Sequence, residues 1–406
     1  MKNWFRKINN TTIIFALLTF IIGWQLGHFD IKTQWSNYKP QFSITNEQPP
    51  ANAETVDFKL FWDTWNLVSQ KYVDKKAIDP QKMYYGAIQG MVAALGDPYT
   101  VFLPPEQQKS TQEELGGSFE GVGIQLGFNK DKNMVVQAPL SGTPAEKAGV
   151  KAGDIILKID GKDATNLGLP EAVSKIRGKK GTTVTLQLFR EGDSKPLDVS
   201  LQRDTIVVKS VEQSTKNTPQ GKKISYIKLS RFGERTFEEW SGAVSDTLSQ
   251  GVSGVVLDVR NNPGGFLDGA VFIGSEFIDK GDIVMSEDAK GNKQHYAVNR
   301  QGKLLKLPMV VLTNKGSASA SEIVAGAIQD YKRGKLVGEQ SFGKGTIQES
   351  EELAGNTGIH ITTAKWLTPN GRWIHNIGLT PDIPVEATSE AGKDPQLDKA
   401  LETLDQ

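Results

Sequence analysis

Apolar side chains recur with two different periods along this chain, and each change of period marks a boundary. An uncharged run over residues 11–27 is followed by a polar stretch, 28–54, that contains Pro40, Pro49 and Pro50, has no periodicity and reads as a linker. From 55 to 115 the spacing is helical. Phe58, Phe61, Trp62, Trp65, Val68 and Val73, then Met83, Tyr84, Ala87, Ile88, Met91 and Leu95, mark two amphipathic helices whose aromatic stripes are expected in a core. Asp79 before Pro80 supplies an N-cap with proline at the first helical position, and Gly96-Asp97-Pro98 ends the second helix. Between 116 and 203 the period shortens to two. Strands are predicted at 122–126, 134–137, 155–159 and 183–188, with short helices at 144–148 and 170–176, which together suit a small β-barrel-like domain. From 204 to 385 apolar strands alternate with amphipathic helices: 224–229 leads to 236–248, 255–259 to 267–278, and 309–312 to 320–331. Such βαβ units imply a mostly parallel sheet covered on both faces. Residues 386–406 end in a short helix capped by Asp394-Pro395, with Leu397, Ala400, Leu401 and Leu404 on one packing face.

A length of 406 residues calls for two or three packed units rather than one. Lys+Arg and Asp+Glu both total 47, so no net field favours nucleic acid, and none is expected as a partner. The absence of cysteine excludes disulfides, thiol catalysis and Cys-ligated metals. Charge changes the picture most at the N-terminus, where Lys2, Arg6 and Lys7 in residues 1–10 precede the uncharged run. That run is close to the roughly 20 residues that cross a bilayer, and no small-x-small cleavage pattern follows it directly. A single-pass transmembrane anchor over 11–27 is therefore expected, with the basic residues inside and the rest of the chain extracytoplasmic. A removed signal peptide is the alternative kept open by Ala51-Asn52-Ala53.

Reactive groups in an open parallel sheet collect beyond the carboxyl ends of its strands. Two segments meet that condition, 261–265 and 316–321. The second places Ser317, Ser319 and Ser321 at alternate positions before a helix, where backbone N–H groups point at a hydroxyl and can stabilise an oxyanion. Helix capping would use the same serines. A reactive hydroxyl needs a base, and none of His28, His295, His360 and His375 stands in a glycine-rich loop beside an acid. Lys344 does stand between two glycines, just before a predicted strand at 346–349. To act as a base it must be neutral, which means lowering its pKa from about 10.4 toward 7 or 8, roughly 4 kcal/mol that burial can supply.

Two resemblances add to this reading. Gly121-Val-Gly-Ile124 with the stretch Ser141-Gly-Thr-Pro-Ala-Glu-Lys-Ala-Gly-Val-Lys-Ala-Gly-Asp-Ile-Ile-Leu-Lys-Ile-Asp-Gly161 resembles PDZ domains. This implies that Gly121, Val122, Gly123 and Ile124 offer backbone N–H groups to a peptide's terminal carboxylate, while the neighbouring strand edge takes up the peptide. Gly316–Asp330 and Phe342–Gln348, with the order of anchor, helical segment, PDZ domain and α/β core, resemble the carboxyl-terminal processing (tail-specific) proteases. The resemblance implies a crotonase-like core, Ser319 as nucleophile, Lys344 as base and Gln348 orienting the amine. On a strand, residues 344, 346 and 348 would share one face. It also implies an oxyanion hole of Gly265 and Ala320 amides and an Arg177 that couples the PDZ domain to the core. Asp330 is expected to be supporting or structural, and Glu322 a partner of the helix dipole. The substrates implied are proteins or peptides with free apolar C-termini, with no cofactor or metal; a second copy of the chain or an adaptor is left open.

Overall fold

The polar stretch after the apolar run carries an alternation that its prolines obscure: Ile31, Thr33 and Trp35, then Phe42 and Ile44. A computed structural model describes residues 19, 30–36, 39–45, 56–388, 390 and 392–405, and here it replaces the expected linker with a hairpin. Strand β1 (Asp30–Ser36) pairs antiparallel with β2 (Lys39–Thr45), from Asp30↔Thr45 to Ser36↔Lys39. β-branched and aromatic residues win because Pro40 sits near the start of an edge strand, where its missing N–H is tolerated. Residues 11–27, read as an anchor, lie outside the described residues except for Thr19. Among the described residues no helix is long and apolar enough to cross a membrane.

The chain divides into residues 1–83 and 84–406. In the first unit, helix α1 (Lys59–Lys71) has no buried residue. Its aromatic stripe is therefore not core, contrary to expectation: Trp62 is 57% exposed, and the rings of Phe61, Trp62 and Trp65 pack on one another at 5.0–6.2 Å. One helix and a hairpin bring too little surface to enclose such rings. Helix α2 (Pro80–Ala93) starts as predicted, with the Asp79 carboxylate accepting from the N–H groups of Gln81 and Lys82 at 2.9 and 3.2 Å.

In the second unit β3 (Val101–Leu103), α3 (Pro105–Gly116) and β4 (Ser118–Gly121) lead into the small β domain. This contains β5 (Ile124–Phe128), β6 (Met134–Pro139), α4 (Pro144–Lys147), β7 (Ile155–Ile159), β8 (Lys162–Asp163), α5 (Leu169–Ile176), β9 (Thr183–Phe189) and β10 (Leu197–Gln202). The strands follow the order β10-β9-β7-β6-β5, with β8 on β7, around a separate core that includes Val136, Ile156, Val184 and Leu186. The period of two predicted this layer, since one face is buried and the other wet. Strand β11 (Asp204–Val207) returns antiparallel to β4, so the domain hangs on a two-stranded ribbon, and among the described residues β5 keeps one free edge.

Beyond the ribbon the elements are β12 (Val211–Asn217), β13 (Lys223–Leu229), α6 (Thr236–Ser249), β14 (Gly254–Asp258), α7 (Leu267–Phe277), β15 (Asp282–Asp288), β16 (Lys293–Ala297), β17 (Met309–Thr313), α8 (Ala320–Asp330), β18 (Lys335–Gly338), β19 (Thr346–Leu353), β20 (Thr357–Leu367), β21 (Ile383–Pro384) and α9 (Pro395–Thr403). A six-stranded sheet runs β12-β13-β14-β17-β18-β21, parallel except for β12. Every residue of β14 and β17 is buried, which their unbroken apolar runs foretold. Trp240, Phe277, Ile323 and Val324 of α6, α7 and α8 belong to the core on one side. Ala400 and Leu401 of α9 pack with Val256, Val310, Leu312 and Val337 on the other. Arg260, just after β14, ties α9 to the loop at 261–265: it bonds Asp258 at 2.6 Å and the α9 N-cap Asp394 at 2.8 Å. A second, antiparallel sheet, β16-β15-β20-β19 with β3 on β20, was not foreseen. The last five residues of β19 are exposed, so a buried alternating pattern could not announce it.

Candidate active site

Burial and bonding separate the three serines. Ser317 Oγ donates to the Val259 carbonyl and Ser321 Oγ to the Asn262 carbonyl, both at 2.8 Å, and both residues are fully buried. They staple the loop after β17 to the loop after β14. Ser319 between them is half-buried and opens on a cleft of about 310 Å³. It is the N-cap of α8, with φ 55° and ψ −115°, a backbone state that costs a non-glycine residue energy and needs outside support.

Glu322 supplies that support. Fully buried, it accepts at Oε2 from the N–H of Ser319 (2.8 Å) and of Lys344 (2.9 Å), and at Oε1 from Ser341 Oγ (2.5 Å) and the N–H of Gly343 (2.6 Å). It is thus more than a dipole partner, because it holds the serine turn and the lysine loop together. Burial pushes its carboxyl up, and the four donors pull it partly back. The lysine loop is clamped from its other side by two indoles, Trp366 donating to the Lys344 carbonyl at 2.8 Å and Trp373 to the Gly345 carbonyl at 2.9 Å. Burial pushes the Lys344 amine down, against the charges of Asp97 and Glu322. Lys344 and Ser319 line the same cleft, and their side chains make no hydrogen bond to each other.

Gln348 lines the cleft too, but its carboxamide donates to Thr346 Oγ1 at 2.9 Å and Thr362 Oγ1 at 3.0 Å rather than meeting the lysine. Lys344, Thr346 and Gln348 nevertheless all line this one cleft, Lys344 just ahead of β19, which begins at Thr346. Two other cleft-lining residues, Gly265 and Ala320, have N–H groups that make no hydrogen bond among the described residues. Gly265 has φ 140°, and a Cβ there would stand 2.0 Å from the Phe232 carbonyl oxygen, so only glycine brings its amide to this position. Two free amides beside a serine at a helix N-terminus form an anion-stabilising pair. The two histidines near the lysine loop do not supply a triad. His375 Nδ1 accepts from the Gly345 N–H at 3.3 Å and its ring stacks on Trp373. His360 lines the cleft, its pKa pushed down by burial and by Lys344, and neither ring meets a carboxylate among the described residues.

In the small domain the carbonyls of Val122 and Gly123 are taken by Ala145 and Leu140 N–H groups at 3.0 and 2.8 Å. The N–H groups of Val122 and Gly123 make no hydrogen bond among the described residues and stand at the head of the β5 edge. Gly123 has φ 77° and would drive a Cβ to 2.4 Å from Thr143. Arg177, at the end of α5, pairs with Glu113 of α3 at 2.7 Å and covers the Phe119 ring at 4.4 Å. The next residues of α3 reach the core, the Glu114 carbonyl accepting from Arg231 at 2.8 Å and the Leu115 carbonyl from the Glu234 N–H at 2.9 Å. Asp330 lies away from the cleft, paired with Arg372 and accepting from the Asn370 N–H. Sequence reasoning missed the turn at 97–100, taken only as a helix stop. Its Tyr99 ring centre lies 4.9 Å from Lys344 Nζ, and the available signal was an acid, an aromatic and a threonine following the glycine.

The chain is similar to known proteins over most of its length. The family model "Peptidase family S41" matches residues 223–385, a PDZ domain model 108–188, and the model of the activating protease CtpB N-terminal domain 21–107. The carboxy-terminal processing protease CtpA of Bacillus subtilis is 41% identical over 352 residues, 86% of this chain and 73% of that protein. The carboxyl-terminal-processing protease of Synechocystis is 38% identical over 355 residues, 83% of each chain. The solved structure of a photosystem II D1 C-terminal processing protease aligns with a TM-score of 0.50 at 31% identity, covering 86% of this chain and 97% of that one. On this similarity the chain belongs to the carboxy-terminal processing proteases, serine-type peptidases of family S41 that carry a PDZ domain.

Proposed function

We propose that this protease works by acyl transfer on a Ser319–Lys344 pair. Neutral Lys344 takes the Ser319 proton as Oγ bonds the scissile carbonyl carbon, and the N–H groups of Gly265 and Ala320 hold the oxyanion. Collapse breaks the C–N bond, the departing amine takes the proton from the Lys344 ammonium, and water deprotonated by Lys344 then attacks the ester, whose C–Oγ bond breaks as Ser319 Oγ takes that proton back from Lys344. The observation that carries this reading is Glu322, whose one Oε2 accepts from the N–H of both residues and so aims both at one cleft. Gln348, its Nε2 held by Thr346 and Thr362, keeps its carboxamide oxygen for the Lys344 ammonium.

The substrate's free C-terminus docks on residues Gly121–Ile124, its extended tail lies along the β5 edge beside Ile124 and Leu126, and Arg177 conveys occupancy to the core through Glu113. A peptide with a free apolar C-terminus and its C-terminal amide test this. Kinetics should give the amide a kcat/KM roughly tenfold lower or worse, the loss expected when a charge-assisted hydrogen bond is removed, and an acylating reagent should be recovered on Ser319 by peptide mass. Equal rates for acid and amide, or a label elsewhere, would remove the assignment.

The address follows from Lys2, Arg6 and Lys7 before the uncharged 11–27 run: the run anchors the chain and the protease faces the extracytoplasmic side. The full chain should stay with membranes through an alkaline carbonate wash while a chain lacking residues 1–27 is released. Release of both would end the anchor reading.

A further inference from the structure

We propose that Asp97 is the counter-charge of the Lys344 ammonium that forms each time the amine takes a proton, which makes the 97–100 turn a positioning part of the catalytic site. This rests on Lys344 being the base. The turn belongs to the stretch before β3, outside the parallel sheet that carries Ser319. It is nevertheless built onto the site. The Tyr99 ring centre lies 4.9 Å from Lys344 Nζ. Asp97 Oδ1 accepts from the Tyr99 N–H at 3.0 Å and Oδ2 from Thr100 Oγ1 at 2.7 Å. Thr100 Oγ1 in turn accepts from the Thr362 N–H at 3.0 Å, which pins the turn to β20. The Thr362 side chain helps hold the Asp97 carboxyl below its usual range, and its Oγ1 accepts from Gln348 Nε2 at 3.0 Å. A chain of hydrogen bonds therefore runs back from the cleft-lining Gln348 through Thr362 and Thr100 to Asp97.

This setting keeps Asp97 ionised. Burial works to raise its pKa, but the Thr362 and Thr100 side chains and the Tyr99 amide, with His375 nearby, outweigh it and hold the carboxyl below its usual range. Four titratable groups face the lysine. Glu322 comes from α8, its charge already shared among four donors; His360 comes from β20; Tyr99 is a phenol pushed further toward neutrality by burial; and Asp97 is the remaining anion. Desolvation favours the neutral amine, but on its own it also makes the ammonium costly and the base weak. A fixed anion offsets that cost at the moment of proton transfer, as an acid does for the imidazolium of a serine triad.

The test is the pH profile of kcat/KM for the full-length protein and its Asp97→Asn, Asp97→Glu and Lys344→Ala variants. Asp97→Asn should lower the plateau several-fold and move the acidic limb to lower pH, on the order of half a unit, because removing the anion favours the neutral amine. Asp97→Glu keeps the charge and should bring the limb back toward wild type. A limb unmoved in Asp97→Asn overturns the proposal whether or not the plateau falls, since a purely structural residue lowers the rate without shifting the limb. Retained activity in Lys344→Ala would instead refute the base, and the proposal would fall with it.

Discussion

Ser319→Ala and Lys344→Ala are each expected to lower kcat/KM at least about a thousandfold, and the double variant should be no worse than either, because groups that act as one unit fail together. Lys344→Arg should be as inactive as the alanine variant. It keeps a long cation at the site, but a guanidinium does not lose its proton near neutral pH and cannot act as the base. The same logic fixes the direction of the pH dependence. Only the neutral amine accepts the serine proton, so activity rises with pH through the lysine's own titration, and burial places that limb below the ordinary lysine range. The measurement is steady-state cleavage of a free-acid peptide, with circular dichroism to show that each variant is folded. If Lys344→Arg kept a tenth of wild-type activity, positive charge rather than basicity would be what the site uses.

How far this could be read before any coordinates depends on whether one residue or many carry the signal. The parallel strands were legible because β14 and β17 are buried from end to end, and α8 because Ile323, Val324, Ala327 and Ile328 repeat on one face. Ser319 and Lys344 were legible as motifs. What joins them was not. Glu322 looks like any acid in a first helical turn, and its role depends on the fold bringing Ser341, Gly343 and Lys344 to it across the structure. Gln348 shows a narrower failure: its spacing placed it on the cleft with Lys344, but did not show that its amide nitrogen would be taken by Thr346 and Thr362. The exposed β19 arm and the exposed rings of α1 have a common cause. Periodicity tells which residues share a face, but not whether anything covers that face.

Glu322→Gln, which changes one atom in kind and almost nothing in shape, is expected to be among the most damaging substitutions in the protein. All four hydrogen bonds to this side chain come from donors, two at each oxygen. A carboxamide must turn its NH2 toward one of those pairs, so two donors inside the fold lose their acceptor while gaining a like partner. Each buried donor left unmet costs about 1–3 kcal/mol, so a loss of roughly 2–6 kcal/mol in unfolding free energy is expected, read by chemical denaturation. If the amide faces the Oε2 pair, the N–H groups of Ser319 and Lys344 are the ones released, and Ser319 then holds its positive φ without its anchor. A displacement of about 1 Å between reacting groups is enough for a hundredfold loss, so kcat assayed cold, where the variant is still folded, should fall by about that much while KM changes little. Glu322→Ala leaves the donors unpaired but opens room for water to reach them, and it should therefore be no worse in stability than Glu322→Gln. Near wild-type stability and kcat in Glu322→Gln would mean that the two loops are held in register by the indole clamps of Trp366 and Trp373, with the carboxylate bridge adding nothing.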